Sequence, residues 1–192
     1  MTDLVILRHG PTAWNANKLI QGHSDIALSP EGRAEVSNWC IPSRFKNFHC
    51  LCSPLIRAVE TAEILELKAQ QTDAIREMSW GQWEGRSLVD LRAELGPAMD
   101  DNEAQGLDFH PPDGESPRDV QQRLRPWLAS LKEPTLAVAH KGVVRALYAL
   151  ASGWDMRDKP EIRIEDATAH LFKIDDQGRP FVERMNIRLK ET

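Results

Sequence analysis

Arg8, His9, Arg57 and His140 are the side chains with which this chain could do chemistry, and each stands where a regular element should end or begin. The apolar run from Leu4 to Leu7 leads straight into Arg8, His9 and Gly10, which reads as a buried strand ending in a cation, an imidazole and a flexible turn. The stretch TLAVAH at 135–140 repeats the theme and ends on His140. Arg57 falls just past a short strand at 49–53, in the first turns of the next helix. A neutral imidazole is a nucleophile near pH 7, and a guanidinium grips an anion through two parallel N–H groups, so the combination suits attack on a phosphoryl group. Two plainer alternatives stand beside this. A strand can end in polar residues to no chemical purpose, and Arg57 can lie on a solvated helix face paired with Glu60.

The elements that must carry these groups are marked by their ends. Ser29-Pro30, Ser53-Pro54 and Ser116-Pro117 each place a capping hydroxyl before a proline, whose missing N–H costs nothing at the first helical position, and Ser87 with Asp90 marks a fourth start. A short helical turn is expected near Thr12 to Asn17, followed by a loop through Gln21, Gly22 and His23. A second short strand near Gln71 to Ile75 should lead into an irregular wall, REMSWGQWEGRS, at 76–87. In that wall Trp83 reads as packing, and Trp80 as packing or a platform for a substrate ring. Residues 96–115, rich in Gly and Pro, read as the longest loop, a lid or pocket rim. The helix over 117–132 should kink or break at Pro126, and VVRALYALAS should form an apolar helix closed by Gly153. His170 to Ile174 and Phe181 to Ile187 read as a hairpin. Strands alternating with helices imply an α/β fold: a doubly wound, mostly parallel sheet with helices on both faces and an edge hairpin near the C-terminus. Ligands of such sheets bind outside the carboxyl ends of the strands, where Arg8, His9, Arg57 and His140 would converge beside helix N-termini.

The 192 residues suffice for one substantial core, so a single domain over 1–192 is expected. The net charge of -5, with no two Lys or Arg adjacent, argues against nucleic acid as a partner, while a small phosphorylated substrate needs only a local basic pocket. No stretch reads as a secretory leader or membrane span, and Cys40, Cys50 and Cys52 read as reduced packing residues, so a cytoplasmic protein is expected, and a homodimer is compatible with it. A metal site at His49, Cys50 and Cys52 is the sharper alternative, without a second ligand pair to complete it. His23, His49, His110 and His170 read as ordinary surface or strand residues.

At these residues the chain resembles the histidine phosphatase superfamily, the group with phosphoglycerate mutase-like folds, and within it the branch of broad-specificity and alpha-ribazole-phosphate phosphatases. The likeness rests on LRHGPTAWNANKLIQGHSDIALSPEG, CSPLIRAVETAEIL, EMSWGQWEG and VAHKGVVRAL, in that order. It implies that His9 becomes phosphohistidine, with Arg8, Arg57 and a protonated His140 around the phosphoryl group and Glu77 as proton donor, Glu84 being the rival acid. It implies further that Asn15, Gln21 and Gly22 contact substrate, that the backbone of Gly142 donates to the phosphate, and that neither cofactor nor metal takes part. Two departures stand out. Pro11 occupies a place where the family often has Glu, and Lys141 one where it commonly has Gly. The implied activity is hydrolysis of a phosphomonoester, the alternatives being a cofactor-dependent phosphoglycerate mutase and a non-catalytic binder of phosphorylated ligands. Such mutases usually carry an insertion near the Glu77 region and a longer tail, which this chain lacks.

Overall fold

In the computed structural model, which describes residues 1–189, the opening apolar run forms β1 (Thr2–Arg8) in the middle of a six-stranded sheet. The other strands are β2 (His49–Cys52), β3 (Gln70–Gln71), β4 (Thr135–Ala139), β5 (Thr168–Ile174) and β6 (Pro180–Arg188), in the spatial order β3-β2-β4-β1-β5-β6. The first four run parallel, and β5 and β6 add an antiparallel hairpin at one edge, as the sequence pattern implies. Residues 190–192 of the expected domain lie outside the described ones.

Alternation along β1 divides the core. Leu4 and Ile6 pack with Val120, Leu124, Val143 and Leu147 of α6 (Pro117–Ser130) and α7 (Lys141–Ser152). Val5 and Leu7 point the other way, to Val36, Ala58 and Ala62 of α2 (Pro30–Val36) and α3 (Ile56–Ile64). A central strand buried on both faces is therefore apolar at every position, which explains the unbroken run. Cys52 and the half-buried Cys50 pack on the α2/α3 side as free thiols. No helix among the described residues is long and apolar enough to cross a membrane.

The capping signals hold at Ser29, Ser87 and Ser116, whose side chains accept from Gly32, Asp90 and Asp119 N–H. The short helix α1 (Ala13–Ala16) is capped by Thr12. Four expectations change. The helix expected at Pro54 starts at Ile56, because the Ser53 hydroxyl accepts from Leu55 N–H and turns the chain first. The strand expected over 71–75 is only Gln70–Gln71, since Thr72 caps a 3-10 turn at Asp73–Ile75. The supposed long loop at 96–115 holds α5 (Pro97–Glu103) and a 3-10 turn at Gly106–Asp108, leaving Gly96 and Pro97 as helix punctuation rather than loop residues. Helix α6 runs unbroken through Pro126. Together with α4 (Leu88–Leu95), α5 builds a small satellite core of Ile20, Trp83, Leu91 and Met99 above the carboxyl ends of the strands.

Candidate active site

Register brings the two imidazoles together. Arg8 ends β1 opposite Ala139 at the end of β4, so the next residues along the two strands are His9 and His140. The His9 N–H donates to the Ala139 carbonyl at 2.9 Å, and the two rings lie 5.1 Å apart, centroid to centroid. Both are buried.

Each nitrogen of His9 has its own surroundings. Nδ1 lies 2.6 Å from the Gly10 carbonyl, which can only accept, so Nδ1 carries the hydrogen and Nε2 keeps the lone pair. The Gly10 N–H donates to Thr61 Oγ1 at 3.0 Å, and that hydroxyl donates to the Arg57 carbonyl at 2.7 Å, tying the turn after β1 to α3.

Arg57 is fully buried, so it is no solvated helix residue. Its Nη1 and Nη2 donate to the Ser24 and Gly22 carbonyls at 2.9 and 2.7 Å. Glu60 turns elsewhere, to Arg33 and to Leu28 N–H. Arg8 donates through Nη1 to Asp166 at 2.6 Å. Among the described residues seven buried side-chain polar atoms lack a partner, and five of them are Arg8 Nε, Gln21 Oε1, Arg57 Nε and both ring nitrogens of His140. Buried polar groups are nearly always satisfied, so this concentration of unanswered atoms, N–H donors on both arginines and on His140 among them, marks a place built to receive a polar ligand.

Electrostatics agrees. Burial, then the Arg8 and Arg57 charges, push the His9 imidazole well below its ordinary value, against the opposing pull of its bond to Gly10. Burial, then His9, Arg57 and Arg8, do the same to His140. The imidazolium expected at His140 is therefore not its resting form. Burial likewise lowers Arg57, with Glu77 and Asp25 opposing.

The two candidate acids separate. Glu77 is nearly buried and faces the same cavity as His9, Oε1 accepting from its neighbour Met78 N–H at 2.8 Å. Glu84 lies outside that cavity and accepts from His23 N–H, Ser24 N–H, the Ser24 hydroxyl and Trp80 N–H at 2.8, 2.7, 2.6 and 3.2 Å. Burial would raise its pKa, but these bonds outweigh it and hold the carboxyl below its usual range. Glu84 is thus a clamp joining the 21–24 loop to the wall, and nothing in its immediate sequence distinguishes it from an acid.

The remaining expected contacts fall differently. Asn15 lines the cavity, but its Oδ1 accepts from the Thr12 N–H and hydroxyl at 3.0 and 3.1 Å, closing a capping box. Gln21 is buried and lines the cavity, and its Oε1 has no hydrogen-bond partner among the described residues. Gly22 has φ +52 and presents its carbonyl to Arg57; a Cβ there would lie 2.0 Å from Glu84 Oε1. The Gly142 N–H points to Glu77 Oε2 at 3.3 Å. Pro11 stands outside the cavity, its carbonyl accepting from Ser29 N–H at 3.1 Å, whereas the exposed Lys141 stands at the cavity wall. Sequence reasoning missed Asp166, Thr61 and Ser24, whose partners lie at least 33 residues away or are backbone atoms.

The cavity has a volume of about 600 Å³, far more than a phosphoryl group fills. Its outer wall includes Trp80 and Phe109, in edge contact with ring centroids 5.5 Å apart, while Trp83 is buried behind them. The 106–109 turn supplies part of the rim, as expected of the 96–115 segment. No group of three or more His, Cys, Asp or Glu among the described residues is placed to hold a metal ion.

An α/β sheet that delivers two imidazoles and two guanidiniums to one crevice defines a class, and comparison with known proteins agrees. The family model for the histidine phosphatase superfamily (branch 1) matches residues 4–188, and the chain belongs to that superfamily. It is 31% identical over 164 residues to phosphoglycerate mutase-like protein 4 of Arabidopsis thaliana, covering 78% of this chain and 70% of the relative. It is 25% identical over 220 residues to a 2,3-bisphosphoglycerate-dependent phosphoglycerate mutase of Bifidobacterium longum, covering 94% and 89% of the two. Among solved structures, a mycobacterial glucosyl-3-phosphoglycerate phosphatase in complex with VO3 shares the fold with a TM-score of 0.78 at 24% identity, over 97% of this chain and 100% of that one.

Proposed function

We propose that this protein is a phosphomonoesterase that hydrolyses a small phosphorylated metabolite through phosphohistidine on His9. The observation that carries the reading is the cluster of partnerless buried donors on Arg8, Arg57 and His140 around a nucleophile whose second nitrogen is fixed on Gly10. Phosphoryl transfer asks chiefly for positioning and for charge stabilisation fixed in advance, and this cluster supplies both.

In the first step His9 Nε2 attacks phosphorus, the bond to the ester oxygen breaks, and Glu77 gives its proton to that oxygen. Arg8 and Arg57 donate to the equatorial oxygens. A phosphate dianion beside His140 supplies the countercharge that burial denies it, so the ring takes a proton as substrate binds. In the second step Glu77 takes a proton from water as the water oxygen attacks phosphorus; the N–P bond breaks, inorganic phosphate leaves and His9 is neutral again.

The Bifidobacterium relative named as a phosphoglycerate mutase favours a second reading, transfer of the phosphoryl group back to a phosphoglycerate. Length supports hydrolysis instead. The alignment with the Bifidobacterium mutase spans 220 positions against the 192 residues of this chain, so that enzyme carries segments absent here which could shield an intermediate from water. The test is acid-labile phosphate trapped on the protein during turnover of p-nitrophenyl phosphate. Label lost in His9→Ala, with phosphate released without any bisphosphate, supports the hydrolase. Isomerisation of 3-phosphoglycerate that depends on a bisphosphate would favour the mutase, and ligand binding without turnover would favour a plain phospho-ligand binder.

A further inference from the structure

The acid of the site has no regular element to hold it, and an arginine outside the cavity takes that place. Residues 76–80 lie in neither helix nor strand, so no ladder or helical turn fixes the backbone that carries Glu77. Arg123, half-buried on α6, does not line the cavity. Its Nη1 donates to the Ala74 carbonyl at 2.7 Å, and its Nη2 to the carbonyls of Arg76 and Glu77 at 2.6 and 3.1 Å. Its Nε donates to Glu115 Oε1 at 2.9 Å. Glu115 meets Ser79 in both directions: Oε2 accepts from the Ser79 N–H and the Glu115 N–H donates to the Ser79 carbonyl, each at 2.8 Å. His23, which reads in the sequence as an ordinary surface residue, adds a second donor. Its Nε2 lies 2.8 Å from the Glu77 carbonyl, which can only accept, so Nε2 carries a hydrogen. The backbone is thus gripped on both sides of Glu77, whose carboxyl rests on the Met78 and Gly142 N–H groups at 2.8 and 3.3 Å. The ion pair with Glu115, partly exposed at both ends, is by itself worth little. What Arg123 adds is three carbonyls in a stretch of chain that ends on the acid, held by a planar fork whose donors point in fixed directions.

We propose that Arg123 is a positioning residue for the reaction: by holding the 74–77 backbone it sets where the Glu77 carboxyl meets the cavity, and so whether a proton reaches the leaving oxygen. It acts through Glu77 and touches neither the substrate nor the phosphoryl group. The inference rests on the hydrolase reading, in which Glu77 is the acid. A proton passes only across a hydrogen-bond distance, so a shift of about 1 Å in that carboxyl costs much of the transfer.

The test reads how the rate depends on the leaving group. kcat/KM is measured for p-nitrophenyl phosphate, phenyl phosphate and an alkyl phosphate in the native protein, Arg123→Met, Arg123→Lys and, as the reference for a lost acid, Glu77→Gln. Arg123→Met should lose about 10- to 10²-fold on the phenyl and alkyl esters and stay within about threefold on p-nitrophenyl phosphate, whose leaving group departs without a proton. Inorganic phosphate should bind within about twofold of native, because the anion cradle is untouched. A merely structural arginine would scale all three esters alike through the fraction of protein folded, and that result overturns the proposal. Arg123→Lys keeps the charge, and with it the Coulombic effect on His140, but not the fork, so it should fall between methionine and native. Complete recovery by lysine would make charge rather than placement the cause and overturns the proposal equally. A crystal structure of Arg123→Met, or of Arg123→Lys should methionine prevent folding, needs no turnover. A Glu77 carboxyl drawn off the Met78 and Gly142 N–H groups supports the proposal, and an unmoved one overturns it. If Glu77→Gln itself treats the three esters alike, Glu77 is not the acid and the proposal falls with it; if Glu77→Gln separates them and neither Arg123 variant does, the positioning alone fails. If no ester turns over in the native protein, the hydrolase reading fails, and the crystal structure alone decides whether Arg123 places Glu77.

Discussion

A carboxyl group that hands a proton to a leaving oxygen matters only as much as that oxygen needs it, and this makes Glu77 separable from the cradle around it. Glu77→Gln keeps one accepting oxygen, enough for either Met78 or Gly142 N–H but not both, and has no proton to give. It should slow an alkyl phosphate about 10²- to 10⁴-fold. p-Nitrophenyl phosphate, whose leaving group departs unprotonated, should still phosphorylate His9, giving a burst of p-nitrophenol followed by slow dephosphorylation, because the same carboxylate is needed for the water. Equal loss on both esters, with no burst in rapid-mixing kinetics, would remove Glu77 from both steps. Arg57→Lys offers a second contrast: a single ammonium cannot hold the Ser24 and Gly22 carbonyls and also face the phosphoryl oxygens, so kcat/KM should fall about 10²-fold or more despite the conserved charge. At this scale Arg8, His9 and His140 were legible in the sequence because polar residues abruptly end apolar strands. Asp166 was not, since it meets Arg8 across 158 residues of chain and no local pattern records that. The choice between Glu77 and Glu84 was likewise illegible: both are acids in one wall, and only the four donors gathered on Glu84 separate them.

Those four donors make the 21–24 loop an element with a consequence. Its carbonyls aim Arg57, and Glu84 holds it against the wall that carries Glu77, so one carboxylate sets the distance between anion cradle and acid. Glu84→Ala leaves the N–H groups of exposed His23 and half-buried Ser24 and Trp80, and the Ser24 hydroxyl, without their acceptor, at about 1 to 3 kcal/mol each where water cannot reach. It should lower kcat/KM about 10²-fold, more than it lowers affinity for inorganic phosphate. Glu84→Gln keeps one accepting oxygen and should fall between alanine and native. If steady-state kinetics find Glu84→Ala as active as the native protein, the loop is held by other means. The mostly parallel sheet and its edge hairpin were readable from strands alternating with helices, as were helix starts bearing a capping hydroxyl, but not the order of the strands. The misreadings share a cause: at 71–75 and 96–115 the same Gly, Pro and Thr residues that open loops also cap short helices, and the difference is made by what the segment packs on. Met99 of α5, for example, buries itself with Ile20, Trp83 and Leu91.

At the scale of the whole molecule, three imidazoles lie buried in one small fold, and this ties stability to pH. His9 lines the cavity with His140 packed against it, while His170 lies within β5, where burial lowers its pKa to about 4 and its Nδ1 accepts from Asn186 N–H, a bond that protonation would break. Above pH of about 6.5 these rings are neutral whether the chain is folded or not, and they make stability independent of pH. As the pH falls below that value the unfolded chain takes up protons that the folded one refuses. Stability then drops by up to about 1.4 kcal/mol per pH unit for each ring, until the folded pKa is reached. For His170 the window closes near 4, so its full share is about 3 kcal/mol. Carboxylates held low by partners, such as Asp119 by Ser116, add their own loss only at more acid pH. Urea unfolding between pH 7.5 and 4.5 should therefore show a falling midpoint well before carboxylates titrate. His170→Gln, whose side-chain oxygen can still accept from Asn186, should flatten that curve by about one proton below pH 6.5 without altering kcat/KM at neutral pH. Its absolute stability will shift with the new packing, so the slope is the quantity to compare. An unchanged slope would mean that His170 titrates alike in both states and that its burial plays no part in the acid response.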